Sequence, residues 1–254
     1  MSAALASAAS PDVLALERAT LTAVPAPRLL FEGGFVARSF AGGTGRANAA
    51  CPLDASPDPD LPARIARIEA FYARAGLRCR FRSTPLDPPG LATLLAARGY
   101  RPHDESLVIG GALAGFAATD TACEMLAGPE PAWMEVLATA EHQVPARRAE
   151  KLRMPDLLGV PAAWVLLRLA GQPAACAFVT ADGELAGLFD LAVRPAYRRQ
   201  GLGRRVMAAA GAWAAAQGAR FAFAQVACTN AASLRLNAGL GLTERYRYRY
   251  LLPG

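Results

Sequence analysis

Leu191-Ala192-Val193-Arg194-Pro195-Ala196-Tyr197-Arg198-Arg199-Gln200-Gly201-Leu202-Gly203-Arg204-Arg205 is the stretch on which the reading of this chain turns. An apolar strand runs into a proline turn, and a basic loop with glycines two apart opens directly into an amphipathic segment. The first amides of a helix lack intrahelical acceptors, and the helix dipole places partial positive charge at the same point. Gly201 and Gly203 let backbone approach a phosphate without a Cβ in the way. Arg198, Arg199, Arg204 and Arg205 add charge that can screen or grip phosphate oxygens. The bland alternative is a solvated basic turn with an ordinary glycine cap. The strand before and the helix after favour an anion site.

Around this stretch the apolar pattern alternates between strand and helix. Residues 185–193 read as a strand after an Asp182-Gly183 turn. Residues 202–217 read as a helix with Leu202, Val206, Ala209, Trp213 and Ala216 on one face, closed by Gly218. Upstream, residues 163–169 and 174–180 read as strands joined at Gly171-Gln172-Pro173, behind helices at 131–141 and 146–152. Downstream come a strand at 221–226, a short helix at 231–238 and a last strand at 243–251. This order predicts a mixed α/β sheet.

The N-terminal half repeats an α/β theme more weakly. Ser10-Pro11-Asp12 predicts a helix start with proline at its first position. Leu29-Leu30-Phe31 and Phe35-Val36-Ala37 flank Gly33-Gly34 as a tight hairpin. Gly42-Gly43-Thr44-Gly45 reads as a second hairpin turn rather than a phosphate cradle, because no helix with a lysine follows it. A helix at 61–76, a strand at 79–82, a helix at 88–98 and a strand beginning at 106–109 complete this half. Residues 110–120 are small and flexible, which places a domain boundary between 1–115 and 116–254.

Composition narrows the chemistry. The chain has 254 residues, 53% hydrophobic and 19% charged, enough for one or two packed domains. No apolar run approaches the ~18 residues of a spanning helix. The opening MSAALASAAS has no basic residue before Arg18 and does not read as a signal peptide, so a soluble cytoplasmic protein is expected. Net charge is +6, and Lys151 is the only lysine. That arginine excess is either coding bias or a basic surface that attracts an anion. Five widely spaced cysteines give no disulfide framework and no zinc spacing. With only His103 and His142 present, a histidine-rich metal site is excluded, and no metal is expected. Walker-type, nucleophile-elbow and EF-hand patterns are absent.

The loop resembles that of the GNAT superfamily of acetyl-CoA-dependent N-acetyltransferases, whose Arg/Gln-x-x-Gly-x-Gly/Ala motif is matched by Arg198, Gly201 and Gly203. A second motif of that superfamily is matched by Asn230, Ser233, Leu236, Gly241 and Leu242, the last a conservative departure. The resemblance covers residues 122–252 and implies a GNAT-like fold there. Residues 10–112 look like the companion half of two-module members, a smaller GNAT-like module without the pyrophosphate loop. It also implies that backbone groups of Leu191, Ala192 and Val193 hold the pantetheine arm on a strand splayed from its neighbour. Amides of Arg199, Gln200, Gly201, Leu202, Gly203 and Arg204, with Arg198 beside them, would cradle the pyrophosphate. Asn230, Ser233 and Asn237 would contact the cofactor further along, although Asn230 also reads as a helix cap.

Two usual acid/base positions are changed. Asparagine stands at 237 where relatives often have a tyrosine, and glutamine at 225 where some have a glutamate. An attacking ammonium must still lose a proton. Asp190 and Glu184 are both candidate bases acting through a water, and either also reads as a solvated strand-end carboxylate. In the last strand, Arg245-Tyr246-Arg247-Tyr248-Arg249-Tyr250 alternates strictly, so tyrosines share one face and arginines the other. That pattern predicts an edge strand with packed tyrosines, or else Tyr246 or Tyr248 as the missing acid.

What the resemblance implies is an N-acetyltransferase that moves acetyl from acetyl-CoA to a primary amine in a ternary complex. A non-catalytic acyl-CoA sensor or scaffold is the alternative. Nucleic-acid binding has only the arginine excess behind it, and no membrane partner is expected. The acceptor and the oligomeric state, a homodimer included, stay open.

Overall fold

A computed structural model of the chain describes residues 10–140 and 143–254. Most of the opening decapeptide, His142 and the expected helix end at 141 lie outside the described residues. Helix α1 (Val13–Ala23) starts at Asp12, whose carboxylate accepts the Ala15 amide at 2.7 Å. Asp12, not Ser10, is therefore the cap, because its side chain is the one in reach of a first-turn amide. Strands β1 (Arg28–Glu32) and β2 (Phe35–Ser39) form the hairpin expected at Gly33-Gly34, with Gly33 at φ +57°. Then follow β3 (Ala50–Pro52), α2 (Leu61–Arg74), β4 (Phe81–Ser83), α3 (Leu91–Ala97) and β5 (Tyr100–Ala112).

The later elements are β6 (Cys123–Leu126), α4 (Pro131–Leu137), α5 (Pro145–Arg153), β7 (Ala162–Leu169), β8 (Gln172–Asp182) and β9 (Leu185–Val193). They end with α6 (Leu202–Ala216), β10 (Phe221–Ala227), α7 (Ala231–Gly239) and β11 (Thr243–Pro253). All eleven strands join one mixed sheet in the order β1-β2-β3-β4-β11-β5-β10-β9-β8-β7-β6.

The last strand lies between β4 and β5, antiparallel to both, so the expected edge strand is an interior one. The alternation itself holds. Tyr246, Tyr248 and Tyr250 are buried, while Arg245, Arg247 and Arg249 face solvent. An isolated sequence cannot show the second neighbour, β4, which comes from more than a hundred residues upstream.

Each sheet face has its own core. On one face α1 and α4 cover Val108, Trp164, Phe178, Phe189, Phe223 and the three tyrosines. On the other, α6 lays Ala209, Ala210 and Ala214 against Val165, Ala177, Val179, Leu188 and Ala222. Alanine contributes little hydrophobic drive per residue, but it lets the helix ride close to the strands, where dispersion contacts accumulate. Helices α2 and α3 close a third core over Phe35, Phe81 and Tyr100. Beneath α1 the buried Glu17 carboxylate grips Arg82 of β4 at 2.7 and 2.8 Å and accepts the Tyr246 hydroxyl. A buried pair of this kind is tolerable only when each partner's hydrogen bonds are met, as they are here.

Candidate active site

Strands β9 and β10 part company midway. Their parallel pairing ends at Leu188 opposite Ala224, yet β9 runs on to Val193 and β10 to Ala227. The cause lies on the other side of β9. Between the pairs Phe178–Phe189 and Cys176–Ala192, two residues of β9, Asp190 and Leu191, stand opposite the single Ala177 of β8. This bulge bends β9 away from β10. Asp190 takes φ +54°, a left-handed conformation costly for a residue with a Cβ. The Ala177 carbonyl, displaced from the ladder, accepts the indole N–H of Trp133 from α4 at 3.0 Å. The fork is thus locked open from within the core.

The fork leads to the loop singled out in the sequence. Arg199 and Gly201 both have positive φ, +62° and +76°, so amides turn toward one side before α6 begins. The first bond of that helix runs from the Arg205 amide to the Gly201 carbonyl at 3.2 Å. The amides ahead of it have no intrahelical acceptor. A Cβ on Gly201 would point into open space, whereas one on Gly203 would lie 2.7 Å from Leu236 Cδ1. Gly201 serves the turn, and Gly203 lets α6 and α7 touch.

Not all four arginines of the loop remain available. Arg205 makes a two-point bond to Asp120 at 2.7 and 3.0 Å, and Arg204 donates to the Gly239 carbonyl at 2.8 Å, closing α7. Arg198 reaches back to the Val193 carbonyl, and Arg199 is exposed. Asn230 does cap α7, accepting the Ser233 amide at 3.0 Å. Asn237 is buried. Its amide nitrogen donates to the Ser233 carbonyl and hydroxyl, while its oxygen has no partner among the described residues.

Sequence reasoning missed the groups on the other side of the fork. The glycine cluster at 42–45 lies in the loop that joins the antiparallel neighbours β2 and β3, as the hairpin reading expected, but that loop does more than turn the chain. Amides of Ala41, Gly43 and Thr44, with Asn48 Nδ2, surround the buried Glu150 carboxylate of α5 at 2.7–3.2 Å. The loop so held carries Arg46 across the fork. Arg46 Nε donates to Gln225 Oε1 at 2.9 Å and Nη2 to the Gln225 carbonyl at 3.3 Å, and its guanidinium sits 5.8 Å from the Phe189 ring centre. Gln225 Nε2 in turn donates to the Thr20 hydroxyl at 2.8 Å. An amide suits that position, since it accepts on one side and donates on the other. No signal short of the fold could have joined residues 46, 150 and 225.

Of the four acid/base candidates, Asp190 and Tyr246 are both engaged. Asp190 pairs with Lys151 of α5, and both side chains are about a tenth exposed. Tyr246 donates to Glu17, and burial holds its phenol far above the ordinary value. Tyr248 differs: burial would raise it, but Arg46 and Arg82 outweigh that and bring it below the usual phenol value. Glu184 is an exposed strand-end residue beside Arg220. Among the described residues no cluster of three or more His, Cys, Asp or Glu is placed to hold a metal, and no helix is long and apolar enough to cross a membrane.

Comparison with known proteins agrees with this geometry. The sequence model of a family described as probable histone acetyltransferase Rv0428c C-terminal matches residues 10–251. A GCN5-related N-acetyltransferase from Kribbella flavida superposes with a TM-score of 0.71 at 19% identity, over 96% of each chain. A tandem GNAT protein from the clavulanic acid biosynthesis pathway gives 0.63 at 14% identity, over 96% of this chain and 90% of its own. A protein described as a GNAT-family acetyltransferase from Novosphingobium aromaticivorans gives 0.61 at 18%, over 94% and 98%. At these identities the likeness establishes the fold. No curated protein matches by sequence.

Proposed function

The chain belongs to the family of the Rv0428c C-terminal region, and from that premise we propose that it transfers acetyl from acetyl-CoA to a primary amine. The observation that carries this reading is the forked strand pair leading to the free amides of α6. The diphosphate would lie on the amides of residues 199–204 with Arg198 and Arg199 beside it, and the unpaired edge of Leu191, Ala192 and Val193 would hold the pantetheine arm. Residues 116–254 hold the acyl donor in this reading, and residues 1–115 close the acceptor side.

The chemistry rests on positioning. An amine held against the thioester attacks its carbonyl carbon, the C–S bond breaks, and CoA leaves as thiol once it takes a proton. Strand amides at the fork would stabilise charge growing on the carbonyl oxygen. Asp190 is the one carboxylate of β9, and it can take the amine's proton only by exchanging its Lys151 partner. Isothermal calorimetry with acetyl-CoA tests the reading. We expect binding by wild type, and for Gly201→Asp a loss of about tenfold or more from charge repulsion at the diphosphate. No binding by a folded wild type overturns it.

The pairing of Asp190 with Lys151 and of Tyr246 with Glu17 favours one other reading, a sensor that binds acyl-CoA without transferring. Thiol release with an amine panel separates the two.

A further inference from the structure

We propose that the acceptor amine carries a carboxylate and that Arg46 binds it. This rests on the acetyltransferase reading above and names the substrate class of the same site. Arg46 reaches from the loop of residues 40–48 to the place where β10 leaves β9, held on Gln225 and over Phe189. Its acceptors are neutral. Among the described residues no carboxylate lies within ion-pair distance of it. The carboxylates around it are committed elsewhere: Glu150 to three amides and Asn48, Glu17 to Arg82 and Tyr246, Asp190 to Lys151.

A second guanidinium reinforces the field. Arg147 of α5 is half-buried, with Nε on the Gly43 carbonyl at 3.0 Å. Burial and the charge of Arg46 both hold it below the usual arginine value. The mouth of the fork is therefore positive. A polycationic peptide would meet repulsion there, whereas an amine with its own carboxylate would offer an anion to Arg46 while its nitrogen faces the thioester.

The arginine is also held in place before any ligand arrives. The Thr44 hydroxyl accepts the Arg46 amide at 3.4 Å, and Glu150 fixes the loop. Gly45 lies so close to the Tyr250 ring that a Cβ would come within 2.4 Å of it. Such rigidity suits a recognition group, because little freedom is left to lose on binding.

The test pairs each of the common amino acids with its carboxamide and measures thiol release from acetyl-CoA. Wild type should favour the acid member by about tenfold or more in kcat/KM. Arg46→Met should erase that ratio while leaving acetyl-CoA affinity within about twofold, and Arg46→Lys should restore part of it. A purely structural role would lower both members alike. Equal rates for acids and amides, a preference for a lysine-rich peptide, or an unchanged ratio in Arg46→Met overturns the proposal. Acetyl-CoA binding with no turnover of any carboxylate-bearing amine also overturns it and leaves the donor site standing. Failure to bind acetyl-CoA removes the reading beneath it as well.

Discussion

Lys151 closes an ion pair with Asp190 at the position where β9 slips one residue against β8. The contact ties α5 to the bulge, and through it to the opening of the fork. Both side chains are largely buried, so losing one partner leaves the other charge without compensation. Lys151→Met should lower unfolding free energy by about 3 kcal/mol, and adding Asp190→Asn should recover a good part of it. Urea denaturation of the two single variants and the double variant gives the coupling directly. A coupling near zero would show the pair to be incidental.

Gly203 makes a different kind of demand. With Leu236 Cδ1 2.7 Å from where its Cβ would sit, Gly203→Ala forces the half-buried Leu236 side chain to turn aside. We expect a loss of no more than about 1 kcal/mol by chemical denaturation, because a side-chain adjustment is partly offset by alanine's better helix propensity. Leu236→Ala in the same chain should relieve the overlap, so the double variant should show less loss than the sum of the singles.

The pairing of Asp120 with Arg205 gives a pH signature. Hydrogen bonds from Arg205 hold the Asp120 carboxyl below its usual 3.8. A carboxyl lowered on folding contributes stability above its unfolded value and loses it as pH falls through its folded value. The stability difference between wild type and Asp120→Asn should thus be full near neutrality and shrink below 3.8. Thermal melts across that range check it; a difference that grows toward acid would contradict the sign.

The cysteines should divide by burial. Cys51, Cys79 and Cys176 are buried, and burial pushes the Cys79 thiol up to about 12. Cys123 and Cys228 are half-exposed, Cys123 pushed up to about 11. Since the thiolate is the reactive form, iodoacetamide at mildly alkaline pH should label Cys228 first and the three buried thiols only after unfolding. Mass spectrometry of native and denatured samples reads the pattern.

Much of the C-terminal half was legible because its signals are local. The bounds of β9 match the sequence reading residue for residue, since Asp182-Gly183 and Pro195 punctuate a run that is apolar but for Asp190. The amides of α6 follow from one glycine turn. What depends on distant partners was not legible. Strand β5 was expected to begin at Ser106, but it starts at Tyr100, because its polar segment Arg101-Pro102-His103 is paired by β11 rather than by any pattern of its own. The four residues of β6 carry no period long enough to read. Glu150 is the lone acid of a basic helix, and nothing in its local sequence marks it as the anchor of a loop more than a hundred residues away.

The placement of β11 has a consequence for how the molecule is made. Residues 243–253 are the mortar between β4 and β5, so a nascent chain still lacking them has two unjoined slabs with raw edges facing each other. Assembly of the whole must wait for that final segment. Until it arrives, both edges are open to any passing strand.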